Sequence, residues 1–248
     1  RVEAGVRDCL GNPSAEGQES RFGLPEAIAA EDLVINEVLF HPQVGGADFV
    51  ELYNRSNKIL NLEGVQLLNA QKTSGQVSTE IETPFLLFPG AYAVVTEEPE
   101  DIRERYVVET PQALIENPLP TLNADFGNIT LRSGGITLDS FDYSEAFHYS
   151  LLDDTRGVSL ERIDPQAPTQ DPGNWHSAAS SAGFATPTAP NSQRFAGEGN
   201  QPDDLFELAR PTFSPDGDGF EDVLLIRYRT DRPGYVLNLR VFAAQGRP

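Results

Sequence analysis

The residues best equipped for chemistry lie in Phe213-Ser-Pro-Asp-Gly-Asp-Gly-Phe-Glu-Asp-Val. Asp216 and Asp218 alternate with glycines that let a loop fold back on itself, and Asp222 follows, so hard oxygen donors can converge there on Ca²⁺. Set against the twelve-residue calcium loop, Asp216, Asp218 and Gly219 take the third, fifth and sixth places and Asp222 the ninth. Ser214 stands at the first place and Leu225 where the bidentate Glu belongs, and strand residues follow, which excludes a full EF-hand and leaves a weaker site. The alternative is an Asp-Gly-rich turn whose carboxylates accept backbone N–H bonds.

Other side chains compete for attention. Glu51 sits among Phe49, Val50, Leu52 and Tyr53, whose alternation is that of a strand. Its expected role is a structural ion pair with Arg162 or Arg156; a catalytic carboxylate would need a second acid at a spacing that a strand places beside it, and none is recognisable. His41, His148 and His176 stand near turns or aromatic residues without a metal-ligand spacing, and no Gly-x-Ser-x-Gly elbow accompanies them. Trp175 reads as a core plug, with carbohydrate stacking as the other use of such a ring. Asn54-Arg-Ser and Asn128-Ile-Thr match the glycosylation sequon, a pattern short enough to arise by chance. Cys9, the single cysteine, has no partner for a disulfide and reads as a small buried hydrophobe.

The elements that must position these residues are bounded by composition. The chain has 248 residues, 39% of them hydrophobic, enough for one large domain or two ordinary ones. With 18 Lys and Arg against 38 Asp and Glu the net charge is -20, which repels phosphate backbones and anionic headgroups and argues against nucleic acid as a partner. So acidic a surface reads as solubility or a salty habitat. There is no apolar run of membrane-spanning length, so no membrane insertion is expected, and the opening residues lack the pattern of a signal peptide. The chain contains no Met and opens on Arg1, so both ends are expected to be cut from a longer polypeptide, with any export signal outside it.

Short β-branched and aromatic runs separated by turn residues predict strands at 33–40, 48–54, 59–68, 91–96, 128–132, 136–143 and 158–163. Gly134-Gly135, between two alternating runs, predicts a tight hairpin, because that turn needs positive φ. The best helix candidate is 99–107, with acids at its start and Arg103 and Arg105 toward its end. Loose polar stretches divide the chain into residues 1–30, the end of a preceding domain plus connector; 31–194, the main domain; 195–207, a linker; and 208–248, the start of a truncated further domain with strands at 223–229 and 235–242. The fold class predicted is all-β.

Leu33-Val-Ile-Asn-Glu-Val-Leu-Phe-His-Pro, followed by Gly45-Gly-Ala-Asp-Phe-Val-Glu-Leu-Tyr-Asn-Arg-Ser, resembles the opening of lamin tail domains in exported proteins of the Bacteroidetes type. Phe141-Asp-Tyr-Ser-Glu, His148, Gly157-Val-Ser-Leu-Glu-Arg, Asn174-Trp-His-Ser-Ala and Gly183-Phe-Ala-Thr-Pro with Asn191-Ser look like later blocks of the same domain, so the resemblance covers 32–194. It implies a compact immunoglobulin-like β-sandwich without a catalytic centre, to which 70–83 and 97–122 would be decorations. Ser214-Pro-Asp-Gly-Asp-Gly is similar to the opening of immunoglobulin-like C-terminal domains of the hook-capping kind, often tied to type IX secretion, over 208–248. The Asp-x-Asp-Gly letters also match haloacid-dehalogenase phosphatases, but Thr212-Phe-Ser-Pro supplies no buried strand before the first Asp. Val6-Arg-Asp-Cys-Leu-Gly-Asn-Pro and Arg21-Phe-Gly-Leu-Pro look like the end of another immunoglobulin-like domain.

The expected function is a non-catalytic extracellular module that binds protein or glycan and positions neighbouring domains of the same polypeptide at the cell surface. The competing expectation is an accessory domain of a secreted hydrolase, a nuclease or phosphatase, whose chemistry lies elsewhere in the protein. A third, hydrolysis of a phosphate ester by Asp216 and Asp218, would require metal-dependent turnover that Asp216→Asn abolishes.

Overall fold

The computed structural model describes residues 21–69, 77–149 and 152–194, together with two short strands at 206–208 and 226–228. In chain order the strands are β1 (Leu33–Leu39), β2 (Phe49–Asn54), β3 (Leu60–Asn61), β4 (Gln66–Leu68), β5 (Ser78–Glu80), β6 (Leu86–Leu87), β7 (Tyr92–Thr96), β8 (Leu114–Glu116), β9 (Phe126–Ser133), β10 (Ile136–Ser144), β11 (Leu160–Arg162), β12 (Trp175–Ser177), β13 (Phe206–Leu208) and β14 (Ile226–Tyr228). Helix α1 (Pro99–Arg105) lies between β7 and β8.

One sheet has the order β12-β11-β1-β2-β7-β8 and a second has the order β10-β9-β4-β5, while β3 pairs with β6 and β13 with β14. Apolar side chains at alternate strand positions meet between the two larger sheets: Ile35, Val50, Leu52 and Val95 from one side, Leu67, Ile129, Leu131 and Phe141 from the other. The all-β sandwich expected from the sequence is therefore the observed architecture.

Local chemistry explains the joints. Gly134 and Gly135 take φ of 56° and 83°, as the predicted β9–β10 hairpin requires. The run 59–68, expected as one strand, is broken at Gly64, whose φ of 80° turns the chain so that β3 pairs with β6 and β4 joins the second sheet. The helix ends at Arg105 rather than at 107, because Tyr106 is extended; its acids and arginines occupy the ends that the helix dipole favours.

Helix α1 covers the outer face of the six-stranded sheet, where Ile102 and Tyr106 pack with Leu39, Phe49, Val94 and Ala185. With residues 178–194 lying over Glu37 and Glu51 on the same side, β1 and β2 are buried on both faces. The stretch 97–122 is more than the decoration expected of it. It supplies α1 and the parallel edge strand β8, and it places Ile115, Leu119 and Leu122 in the main core. Similarly β5, within 70–83, is a strand of the second sheet. Residues assigned to the connector also touch the sandwich: Ile28 packs on the core, and Glu26 N–H donates to Ile59 O at 2.9 Å. Strand β13 begins at Phe206, inside the stretch read as linker, and pairs antiparallel with β14.

Candidate functional site

A β-bulge sets the site. Ile35 lies opposite Leu52 and Glu37 opposite Glu51, so Asn36 is the extra residue of β1. One extra residue reverses the phase of the strand, so that Ile35 and Val38 both enter the core while Glu37 faces outward. Glu51 faces the same way, since its neighbours Val50 and Leu52 are core residues. On the far side of β1, Glu161 of β11 lies opposite Glu37. Three glutamates thus stand in a row across adjacent strands, each 0% exposed.

What seals them is the strap formed by residues 178–194, whose course is set by left-handed backbone at Gly183, Phe184 and Thr188. Thr186 N–H and Ser159 Oγ donate to Glu37 Oε1 at 2.9 and 2.5 Å. Glu161 Oε2 accepts from Ser192 Oγ at 2.7 Å and from Gln193 N–H at 2.9 Å. Glu51 Oε2 accepts from Thr188 N–H at 2.6 Å, and its Oε1 accepts from Asn36 Nδ2 at 2.8 Å. The bulged Asn36 also donates to Asn191 Oδ1, and Asn191 returns bonds to Asn36 O and Arg162 O. Finally, Thr186 Oγ1 lies 3.1 Å from Glu37 Oε2 and 2.7 Å from Glu161 Oε1.

Burial, with no ion pair to the row among the described residues, favours the neutral acids. Desolvation, reinforced by Glu161, pushes Glu37 up to about 8. Desolvation and then Glu37 hold Glu51 well above the carboxylate range, and desolvation raises Glu161. Chemically the row can retain a proton and organise the strap. A general acid or nucleophile must reach a substrate, and these groups are covered by the chain itself.

The other sequence candidates are placed differently. Asp216, Asp218, Asp222, Cys9 and the 235–242 strand lie outside the described residues. Glu51 makes neither expected ion pair: Arg156 bonds Asp154, and Arg162 donates to Asp139 at 3.4 Å and to the carbonyls of Ile35 and Ala167. The phase of β11 is the reason, for alternation sends Arg162 toward the core face and Glu161 toward the strap. The expectation that no acid stands beside Glu51 is also corrected, since Glu37 does. Its signal in the sequence was the interrupted alternation of Ile35-Asn-Glu-Val38.

Trp175 fills the core as expected, 3% exposed, with its Nε1 donating to Thr169 O at 2.7 Å. His148 is buried against Phe40, its Nδ1 3.0 Å from Ser177 Oγ, and burial followed by His176 and His41 lowers it to about 4. His41 meets Thr155, and His176 Nδ1 faces Ser177 O. Among the described residues no three His, Cys, Asp or Glu side chains are grouped so as to hold a metal ion. Both sequon asparagines are buried; Asn54, 0% exposed, donates to Lys58 O and Leu87 O inside the fold.

Two facing sheets with a core between them define an all-β sandwich, and the polar row lies sealed on the outer face of its six-stranded sheet. Residues 26–145 match the family model of the Lamin Tail Domain, an immunoglobulin-like domain that is usually a structural or interaction module. This stretch, from the approach to β1 through β10, is similar to that family in sequence as in fold. No curated protein matches the chain. Glu37 and Glu51 lie inside the matched stretch; Glu161 and the strap lie beyond it, yet β11 pairs with β1 and completes the same sheet.

Proposed function

We propose that the sandwich is a non-catalytic extracellular module that binds protein or glycan through its exposed faces and positions neighbouring domains of the same polypeptide at the cell surface. The observation that carries this reading is the sealing of Glu37, Glu51 and Glu161 under the strap, with their oxygens engaged by Ser159, Thr186, Thr188, Ser192 and Gln193. Polar groups that would serve an enzyme as acid and base here serve as internal ties. Binding then falls to loops and outer faces, as is usual on sandwich scaffolds. The pairing of β13 with β14 supports a further β segment after the linker, in keeping with a string of modules. Residues 208–248 are, in this reading, the start of an immunoglobulin-like C-terminal domain of the secreted Bacteroidetes kind.

The test has two arms on the same purified chain. It is incubated with glycoside, peptide and phosphodiester substrates in the presence of Ca²⁺, Mg²⁺ or Zn²⁺, and it is titrated onto immobilised glycans and intact bacterial cells. Saturable binding without turnover is the expected result. Turnover that Glu51→Gln abolishes, in a variant that remains folded, would overturn the reading.

A further inference from the structure

The bond between Thr186 and the glutamate row contains a counting problem. The Thr186 hydroxyl has one proton to donate, yet its oxygen stands within hydrogen-bonding distance of Glu37 Oε2, at 3.1 Å, and of Glu161 Oε1, at 2.7 Å. If both acids were ionised, one of these contacts would set oxygen lone pairs against each other. If Glu37 keeps its proton, both contacts are bonds: Glu37 Oε2–H donates to Thr186 Oγ1, and Thr186 Oγ1–H donates to Glu161. The remaining oxygens of the pair accept from Ser159, Thr186 N–H, Ser192 and Gln193, so they make no competing demand on that proton.

We propose that a proton held in the Glu37–Thr186–Glu161 chain latches the strap 178–194 onto the outer face of the six-stranded sheet, and that losing it at alkaline pH releases the strap. The surroundings offer the ionised acids little relief. From β2 the row meets Glu51 and, further along the same face, Tyr53; from β12, His176 stands opposite Glu161; from β7 it meets Tyr92; from α1, Tyr106 with Asp101 and Arg105 beyond it. The strap's own Arg194 is spent on Tyr53, 5.7 Å from its ring, and on the Tyr92 hydroxyl at 2.6 Å. Among the described residues no ion pair includes any of the three glutamates.

The direction follows from linkage. Acids raised above their unfolded values bind more protons in the closed state, so the latch is strongest below the ordinary carboxylate range and weakens as pH rises through the raised value, about 8 for Glu37. Opening uncovers the glutamate row and, beside it, the apolar edge at Leu39, Phe49 and Val94, with which Ala185 of the strap packs. The latch therefore ties exposure of this outer face to pH.

Hydrogen exchange of the strap amides, corrected for the intrinsic effect of pH, tests this. Protection of Thr186 and Thr188 should fall by roughly tenfold or more between about pH 6.5 and about pH 9.5 while the β9–β10 hairpin stays protected. In Glu37→Gln the amide donates to Thr186 at every pH, so the fall in Thr186 protection should be largely abolished. Unchanged protection in the wild type, or an equal loss in Glu37→Gln, overturns the latch. A second readout isolates the group: the infrared carbonyl band of protonated buried carboxyls should lose a component at neutral pH in Glu37→Gln relative to the wild type, and identical bands in the two proteins overturn the proposal.

Discussion

The ring of Phe141 lies flat on the indole of Trp175, with centroids 3.7 Å apart and planes 14° from parallel. The pair joins β10 of the four-stranded sheet to β12 at the rim of the six-stranded sheet, and Arg162 sits 5.9 Å from the indole. Trp175→Ala should cost about 3–5 kcal/mol of stability, as for other large aromatic deletions. A double-mutant cycle with Phe141→Ala should show a coupling of about 0.5–1.5 kcal/mol beyond buried area. Denaturant unfolding of the four proteins checks both numbers; additive losses would mean that the rings fill space without recognising each other.

Asp48 gives a prediction whose sign depends on pH. Its Oδ1 is buried without a hydrogen-bond partner, and burial with the nearby Glu97 raises its carboxyl to about 7. The folded state therefore holds a proton that the unfolded chain has already released above the ordinary carboxylate range, so this residue costs stability as pH rises through about 7. Asp48→Asn should raise the unfolding midpoint at alkaline pH and change it little below about pH 4, where folded and unfolded chains both hold the proton. A uniform effect at both pH values would show that the carboxyl does not titrate inside the fold.

The acidic loop is tested by calcium. Asp216, Asp218 and Asp222 all lie in the connection between the paired strands β13 and β14, so an ion bound there would stabilise that pairing. The unfolding midpoint of this region should rise on going from chelator to millimolar Ca²⁺, and Asp216→Asn/Asp218→Asn should lose the rise. No shift reduces the loop to a turn.

The contrast between what sequence reveals and what it hides follows from range. The Gly134-Gly135 hairpin was legible because its turn chemistry and both of its strands are contiguous. So were β1, β2 and β7, whose apolar runs announce burial. Strands β5, β6, β8 and β12 were not, for two or three residues carry no period and become strands only through their partners. The glutamate row was hidden for a related reason. Glu51 and Thr188 N–H are bonded across most of the domain, and Glu37 faces outward only because Asn36 bulges. A sequence displays that acid beside apolar residues, but the face it occupies is decided by register against another strand.

Carbodiimide labelling of the folded chain under mildly acidic conditions, followed by peptide mass spectrometry, tests whether these acids are sealed architecture or a reactive centre. Exposed carboxyls such as Glu31 and Glu100, 76% and 77% exposed at their side chains, should be modified rapidly. Glu37, Glu51 and Glu161 should react only after unfolding. Modification of the three in the folded protein at the rate of Glu100 would show that they are open to solvent and return them to candidacy as an active site.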